Sequence, residues 1–166
     1  MGYAETTLLE FDHEMANTRK VLERIPEDKL DWRPHPKSNT IGWNANHVAD
    51  LPNWLVETLT KPSLDIAPVG AKPYELPKLA KRQEILNLFD KNVTAARTAL
   101  AAVKDEDMAK MWSLQRGGHT IFTMPRAAVV RSMVFSHLIH HRAHLCVYLR
   151  MNDIPVPGMY GPSGDQ

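Results

Sequence analysis

The chain has little cysteine and no run of basic residues. Cys146 is its only cysteine, so no internal disulfide can form and a reducing compartment is expected. The formal net charge of the 166 residues is +1, which argues against a surface for nucleic acid or an anionic membrane. No apolar stretch approaches the roughly 20 residues of a membrane span. The segment Met1–Glu10 lacks the apolar core of a secretory signal, so we expect a cytoplasmic location.

Four segments of the chain carry apolar residues at spacings of three and four. They begin near Leu8, Ile41, Ile85 and Val130. Such a stripe is typical of an amphipathic helix. Proline-rich joints separate the segments, and proline restricts its neighbours and lacks the N–H donor that a helix needs. Hydrophobic residues are 43% and charged residues 23% of the chain, the proportions of an ordinary globular protein.

These features predict an all-α fold, a four-helix bundle in which residues 1–166 form a single domain. Two short alternating runs flank Gly117-Gly118, which indicates a small β-hairpin before the last helix. Pro125 can occupy the first turn of that helix, which should continue to about Arg150. The second helix should be capped by one of the polar residues before it, Ser38, Asn39 or Thr40.

The last predicted helix contains half of the chain's eight histidines, namely His137, His140, His141 and His144. At about 100° per residue, His137 and His141 lie within about 20° of the centre of the apolar stripe. His144 lies about 40° away and His140 about 80° away, on the flank. Two histidines four residues apart point the same way and can bind one metal ion. Buried imidazoles need partners, so the pattern indicates either a metal site or a hydrogen-bonded core pair.

A third ligand must come from elsewhere, because a catalytic zinc site normally has three protein ligands and an open position. His47 on the second predicted helix lies next to its apolar stripe, although alone it would be interpreted as a surface or hydrogen-bonded histidine. Asp50, three residues later, is near enough to orient a ligand ring. His13 on a polar helix face, His35 between two prolines and His119 after the Gly-Gly turn are weaker candidates.

Several short motifs occur in a particular order along almost the whole chain. They are Trp32-Arg33-Pro34-His35-Pro36-Lys37-Ser38, Ile41-Gly42-Trp43 before His47, Trp112 with Gly117-Gly118, Pro125-Arg126, His137-Leu138-Ile139-His140-His141-Arg142, Tyr148-Leu149-Arg150 and Val156-Pro157-Gly158-Met159-Tyr160-Gly161-Pro162-Ser163. In this order and spacing the chain resembles the DinB-like family, also called DinB/YfiT-like metalloenzymes. The resemblance implies a four-helix bundle, often a homodimer. It also implies that His47, His137 and His141 are the ligands of a three-histidine metal site.

The chain departs from the family pattern just after the paired histidines. Where the family has the motif H-R-G-Q-L, this sequence has Ala143 and His144 in place of Gly and Gln. The departure leaves three roles open for His144: a fourth ligand, a group that hydrogen-bonds a ligand, or a packing residue.

The resemblance implies a divalent-metal-dependent enzyme that acts on a small molecule. Family members of known activity are thiol-dependent, so a low-molecular-weight-thiol S-transferase is expected, with the thiol as cosubstrate. Zn and Ni are the first candidates for the metal and Fe is a further one, since imidazole suits all three. His144 and Tyr160 are the candidates for proton transfer. A metal-dependent hydrolase and a non-catalytic metal-binding bundle are the alternatives.

Overall fold

Four long helical segments account for most of the chain in the computed structural model, which describes residues 2–165. They are α1 (Tyr3–Leu22), α2 (Ile41–Thr60), α3 (Arg82–Ala101) and a fourth segment made of α4 (Arg126–Val129), a π-helical stretch (Val130–Ser136) and α5 (His137–Met151). Short 3-10 turns occur at Glu27–Lys29 and Asp105–Ala109. The predicted helical bundle is confirmed. None of the helices described for residues 2–165 combines the length and apolar character that crossing a membrane requires.

A three-stranded sheet precedes the fourth helical segment. Strand β1 (Ser63–Asp65) runs parallel to β2 (Met111–Arg116), and β2 pairs antiparallel with β3 (His119–Pro125). The hairpin β2–β3 is the one predicted, and both glycines of its turn have positive φ, at 60° and 78°. The sequence does not predict β1, because a strand of three residues is too short to show an alternating pattern.

The carboxylate of Asp65, the last residue of β1, stabilises this hairpin turn. It accepts hydrogen bonds from the N–H groups of Gly117 at 3.0 Å and Gly118 at 2.7 Å. The sheet packs on the bundle through a small apolar cluster of Trp112, Leu114 and Val129, which is separate from the main core. The sheet therefore holds the start of the fourth helical segment in place.

The main core lies where the apolar stripes of the four helical segments meet. Among its completely buried members are Phe11, Leu22, Leu55, Ile85, Leu100, Leu138 and Leu145. The last helix departs from expectation, because a π-helical stretch interrupts the continuous α-helix predicted from Pro125 to Arg150. Such i→i+5 stretches are rare in proteins overall, and those that do occur often lie at functional sites. This one ends directly before His137, so the four clustered histidines share the regular periodicity of α5.

A buried ion pair joins α1 to α5. Arg142 Nη2 lies 2.7 Å from Glu14 Oε2, and the two side chains are only 2% and 7% exposed. Arg142 also donates to Thr18 Oγ1, at 3.1 Å, and to the hydroxyl oxygen of Tyr160, at 2.6 Å. The Tyr160 hydroxyl in turn donates to the Glu14 carboxylate, at 2.9 Å. The two charges are thus surrounded by hydrogen-bonding partners, which a buried ion pair requires to offset its loss of hydration.

We predict that Arg142→Met lowers the free energy of unfolding by about 3–5 kcal/mol, because it leaves the buried Glu14 carboxylate without its counter-charge. Arg97→Met is the matched control, since the Arg97–Asp12 pair joins α1 to α3 with both side chains about half exposed. The control should cost about 1 kcal/mol or less. Urea denaturation of the two variants measures the difference, and equal losses would contradict the prediction.

Candidate metal centre

Three histidines from two helices meet at the contact between α2 and α5. The ring centroids of His47, His137 and His141 are 4.6 to 4.9 Å apart. One candidate ligand atom from each residue lies within 4.8 Å of the others, so the group could hold a metal ion. The structure thus brings His47 next to two histidines that follow it by about 90 residues, as the resemblance implies.

The spacing of two ring nitrogens fits a shared metal ion. His47 Nε2 and His137 Nε2 are 3.2 Å apart. Two nitrogens that bind one tetrahedral zinc ion at the usual 2.0–2.1 Å would be about 3.3 Å apart. The arrangement therefore matches that of two ligands of one ion, and it equally allows a hydrogen bond between the rings when one nitrogen is protonated.

A hydrogen bond from α2 determines which nitrogen of His141 is available. Asn44 Nδ2 donates to the Thr40 carbonyl at 2.9 Å, which directs the amide oxygen of Asn44 towards His141. That oxygen lies 2.9 Å from His141 Nδ1 and can only accept, so Nδ1 carries the proton. The lone pair of His141 is consequently on Nε2, the form that a metal ligand needs.

The position of Asn44 follows from the cap of α2. Of the three predicted caps, the structure selects Thr40, whose Oγ1 accepts a hydrogen bond from the Trp43 N–H at 3.1 Å. By its position three residues after His47, Asp50 is expected to be near enough to orient a ligand ring, but its carboxylate accepts a hydrogen bond from the Tyr74 hydroxyl at 2.5 Å. Asn44 orients a different ligand ring, that of His141 on α5. Spacing within α2 does not predict this contact, because the two residues lie on different helices.

Burial keeps the three imidazoles uncharged at neutral pH. Burial, with a smaller contribution from nearby His137, lowers the pKa of His47 to about 4. Burial and the neighbouring histidines lower the pKa of His141 to about 3. Burial also lowers the pKa of His137, and the nearby backbone of Met133 raises it in part. His137 Nδ1 itself is buried and makes no hydrogen bond within residues 2–165. Metal binding requires neutral imidazole, so these shifts favour it.

An exposed aromatic ring forms one side of the centre. The ring centroid of Trp43 is 4.7 Å from that of His47 and 5.4 Å from that of His141, and Trp43 is 37% exposed. Trp43 and Asn46 also line a cleft of about 440 Å³ between the start of α2 and residues 75–80. None of the three histidines lines this cleft, whereas Trp43 both lines it and contacts His47 and His141.

The remaining predicted residues fall into two groups. His140 and His144 lie beside His141, with ring centroids 4.9 and 5.7 Å from it. His13, His35 and His119 are exposed, and within residues 2–165 none of these three belongs to a group of three or more potential ligands.

The two candidates for proton transfer have different surroundings. The Tyr160 hydroxyl is hydrogen-bonded to Glu14 and Arg142, and burial together with Glu14 raises its pKa. The His144 ring stacks on Tyr148 with the planes 5° apart, and burial lowers its pKa, so it is neutral at pH 7. Both roles stay predictions.

The fold and the site together define this chain as a helical bundle with a candidate metal centre. The centre consists of three clustered histidines between the second and the last long helices. The profile of the DinB superfamily matches residues 10–145, a range that includes all three histidines, and the chain belongs to this superfamily. No curated protein matches the chain significantly.

Two solved structures have the same fold. One is a DinB-like protein from Bacillus cereus, 25% identical, with 94% of this chain and 97% of that chain covered and a TM-score of 0.69. The other is a DinB-like protein from Bacillus subtilis, 13% identical, with 96% of each chain covered and a TM-score of 0.64. At 13% identity the second likeness concerns the fold alone.

We predict that Asn44→Ala lowers the affinity for Zn²⁺ by about 10–100-fold, because His141 then loses the bond that orients its ring. Asn92→Ala is the matched control: Asn92 is also buried, and its Nδ2 donates to the Ala49 carbonyl of α2 at 3.0 Å, outside the centre. The control should reduce stability and leave metal affinity unchanged. Competition against a metal-binding dye measures both affinities. An unchanged affinity in Asn44→Ala would refute the orienting role.

The metal-free protein should lose stability as pH falls from about 6.5 to 5, a range above most carboxylate pKa values. The folded-state pKa values of His47 and His141 lie below the unfolded value of about 6.5, so the unfolded chain binds more protons in this range. Each residue contributes up to about 1.4 kcal/mol per pH unit. Urea denaturation with a chelator should give a shallower pH slope for His47→Gln than for the wild type. Identical slopes would contradict the lowered pKa of His47.

Proposed function

We propose that this chain is a divalent-metal-dependent enzyme that transfers a low-molecular-weight thiol to a small electrophile. The observation that carries the proposal is the group of three uncharged, largely buried imidazoles of His47, His137 and His141, whose ligand atoms lie within 4.8 Å of one another. Three neutral ligands leave the charge of a divalent ion uncompensated. When bound, such an ion acts as a Lewis acid that lowers the pKa of a thiol or of water.

The residues around the centre support this role. Asn44 keeps His141 in one tautomer, and the bundle core holds the two helices that carry the ligands, so the site is organised before substrate arrives. Trp43 presents an exposed aromatic face beside His47 and lines the adjoining cleft. An apolar face at this position can bind the carbon skeleton of an electrophile and exclude water from one side of the centre.

Proton transfer is assigned to His144 in this proposal. Its pKa is lowered, chiefly by burial, so it is neutral at pH 7 and can accept the proton of an incoming thiol. The Tyr160 hydroxyl is the second candidate; its hydrogen bonds to Glu14 and Arg142 must rearrange before it can act. Three further points stay predictions: the identity of the metal, which is Zn, Ni or Fe; the homodimer; and the cytoplasmic location.

We expect the purified protein to contain about one divalent ion per chain at the three-histidine centre. It should consume electrophiles only when a low-molecular-weight thiol is present. His47→Gln should lower turnover to background and weaken metal binding at the three-histidine centre, because it removes one of the three ligands of that centre. His119→Gln, an exposed histidine at the start of β3, is the control and should change neither. Elemental analysis and parallel screens of thiol-plus-electrophile and of ester and amide substrates provide the measurements.

The same screens test the alternatives. Hydrolysis of esters or amides without any effect of thiol would replace the transferase by a hydrolase. Metal binding without turnover in either screen would indicate a non-catalytic bundle. A metal content near zero after gentle purification would overturn the metal-dependent proposal.

A further inference from the structure

A second group of histidines lies on the solvent side of the metal centre. His140, His141 and His144 each offer one ligand atom, and these atoms also lie within 4.8 Å of one another. His140 is exposed and His144 half-buried, whereas His141 is buried. The centroids of His140 and His144 are 4.3 Å apart, which is shorter than any centroid distance within the inner group of His47, His137 and His141.

His141 belongs to both groups but can serve only one ion at a time. Its Nδ1 carries the proton that it donates to Asn44, which leaves Nε2 as its single lone pair. A neutral imidazole nitrogen binds one metal ion. The cluster has five histidines, so it cannot provide three histidine ligands to each of two ions at the same time.

We propose that His140 and His144 form a second, outer metal site, which takes His141 as a third ligand when the inner group is not occupied. Two histidines at positions i and i+4 of α5 point the same way, as metal ligands on a helix require. Exposure of His140 lets water molecules complete the coordination shell. The chemistry that fits is a divalent ion that prefers imidazole, such as Zn²⁺ or Ni²⁺.

The shared residue makes the two sites interdependent. With the inner ion bound through His141, the outer site keeps only two protein ligands, and the neighbouring dication repels a second one. Without the inner ligands, the outer group has three histidines available. The outer site is thus the weaker site of the intact protein and becomes the sole site when His47 and His137 are removed. This inference concerns metal binding only and does not require that the protein be an enzyme.

Equilibrium dialysis against Zn²⁺ with elemental analysis tests the proposal in four proteins that all retain His141. The wild type should bind one ion tightly and a second at least about tenfold more weakly, since the second lacks a ligand and meets a like charge. The outer variant His140→Gln/His144→Gln should bind one ion with the tight affinity only. The inner variant His47→Gln/His137→Gln should still bind one ion, and the variant with all four changes should bind none.

The control is His35→Gln/His119→Gln, which removes two exposed histidines outside the cluster and should behave as the wild type. Circular dichroism verifies that each variant is folded. If the inner variant does not fold, the comparison of the wild type with the outer variant still tests whether His140 and His144 hold the second ion. A second binding class that persists in the outer variant would overturn the proposal, as would a folded inner variant that binds no ion. Absence of the tight class from the wild type would refute the metal-dependent function, and the inner variant would still report on the outer site.

Discussion

The contact between α2 and α5 depends on one constraint, the burial of imidazole rings that must remain uncharged. His47 and His141 are only 9% and 8% exposed, and burial lowers the pKa of both. A buried ring needs hydrogen-bonding or metal partners for its nitrogens. Asn44 supplies one such partner from α2, and the spacing of His47 and His137 suits a shared ion for the others. The candidate metal centre is thus also part of the helix interface.

Adjacent residues on α5 meet opposite electrostatic requirements. His141 faces α2 and is buried without charge, whereas Arg142 faces α1 and is buried with its charge compensated by Glu14. One residue of helical rotation, about 100°, separates the two environments. Any shift of α5 that moves the histidine pair therefore also strains a buried ion pair, which couples the position of the ligands to the packing of α1. The π-helical stretch before His137 ends where this double constraint begins.

Much of the fold can be predicted from the sequence, because apolar periodicity is a local property. The four stripes predict the helices, Gly117-Gly118 predicts the hairpin, and the inward direction of His137 and His141 follows from their place in the stripe. Strand β1 and the π-helical stretch are missed. Strand β1 is stabilised by pairing with residues of β2 that lie 50 positions later in the chain. The π-helical stretch changes the helical period, which the apolar pattern treats as constant. Asn44 is missed because its role depends on a ring from another helix.

By itself, the sequence determined which side chains share a face of one helix, since 3.6 residues per turn relates neighbours three and four apart. It thereby identified His137 with His141, and the outer pair His140 with His144. Only the tertiary structure decided which helices meet, and hence that His47 lies beside the first pair and that Asn44 orients the ring of His141. Such contacts depend on how α2 packs against α5 across about 90 residues of chain, and no local spacing contains that information.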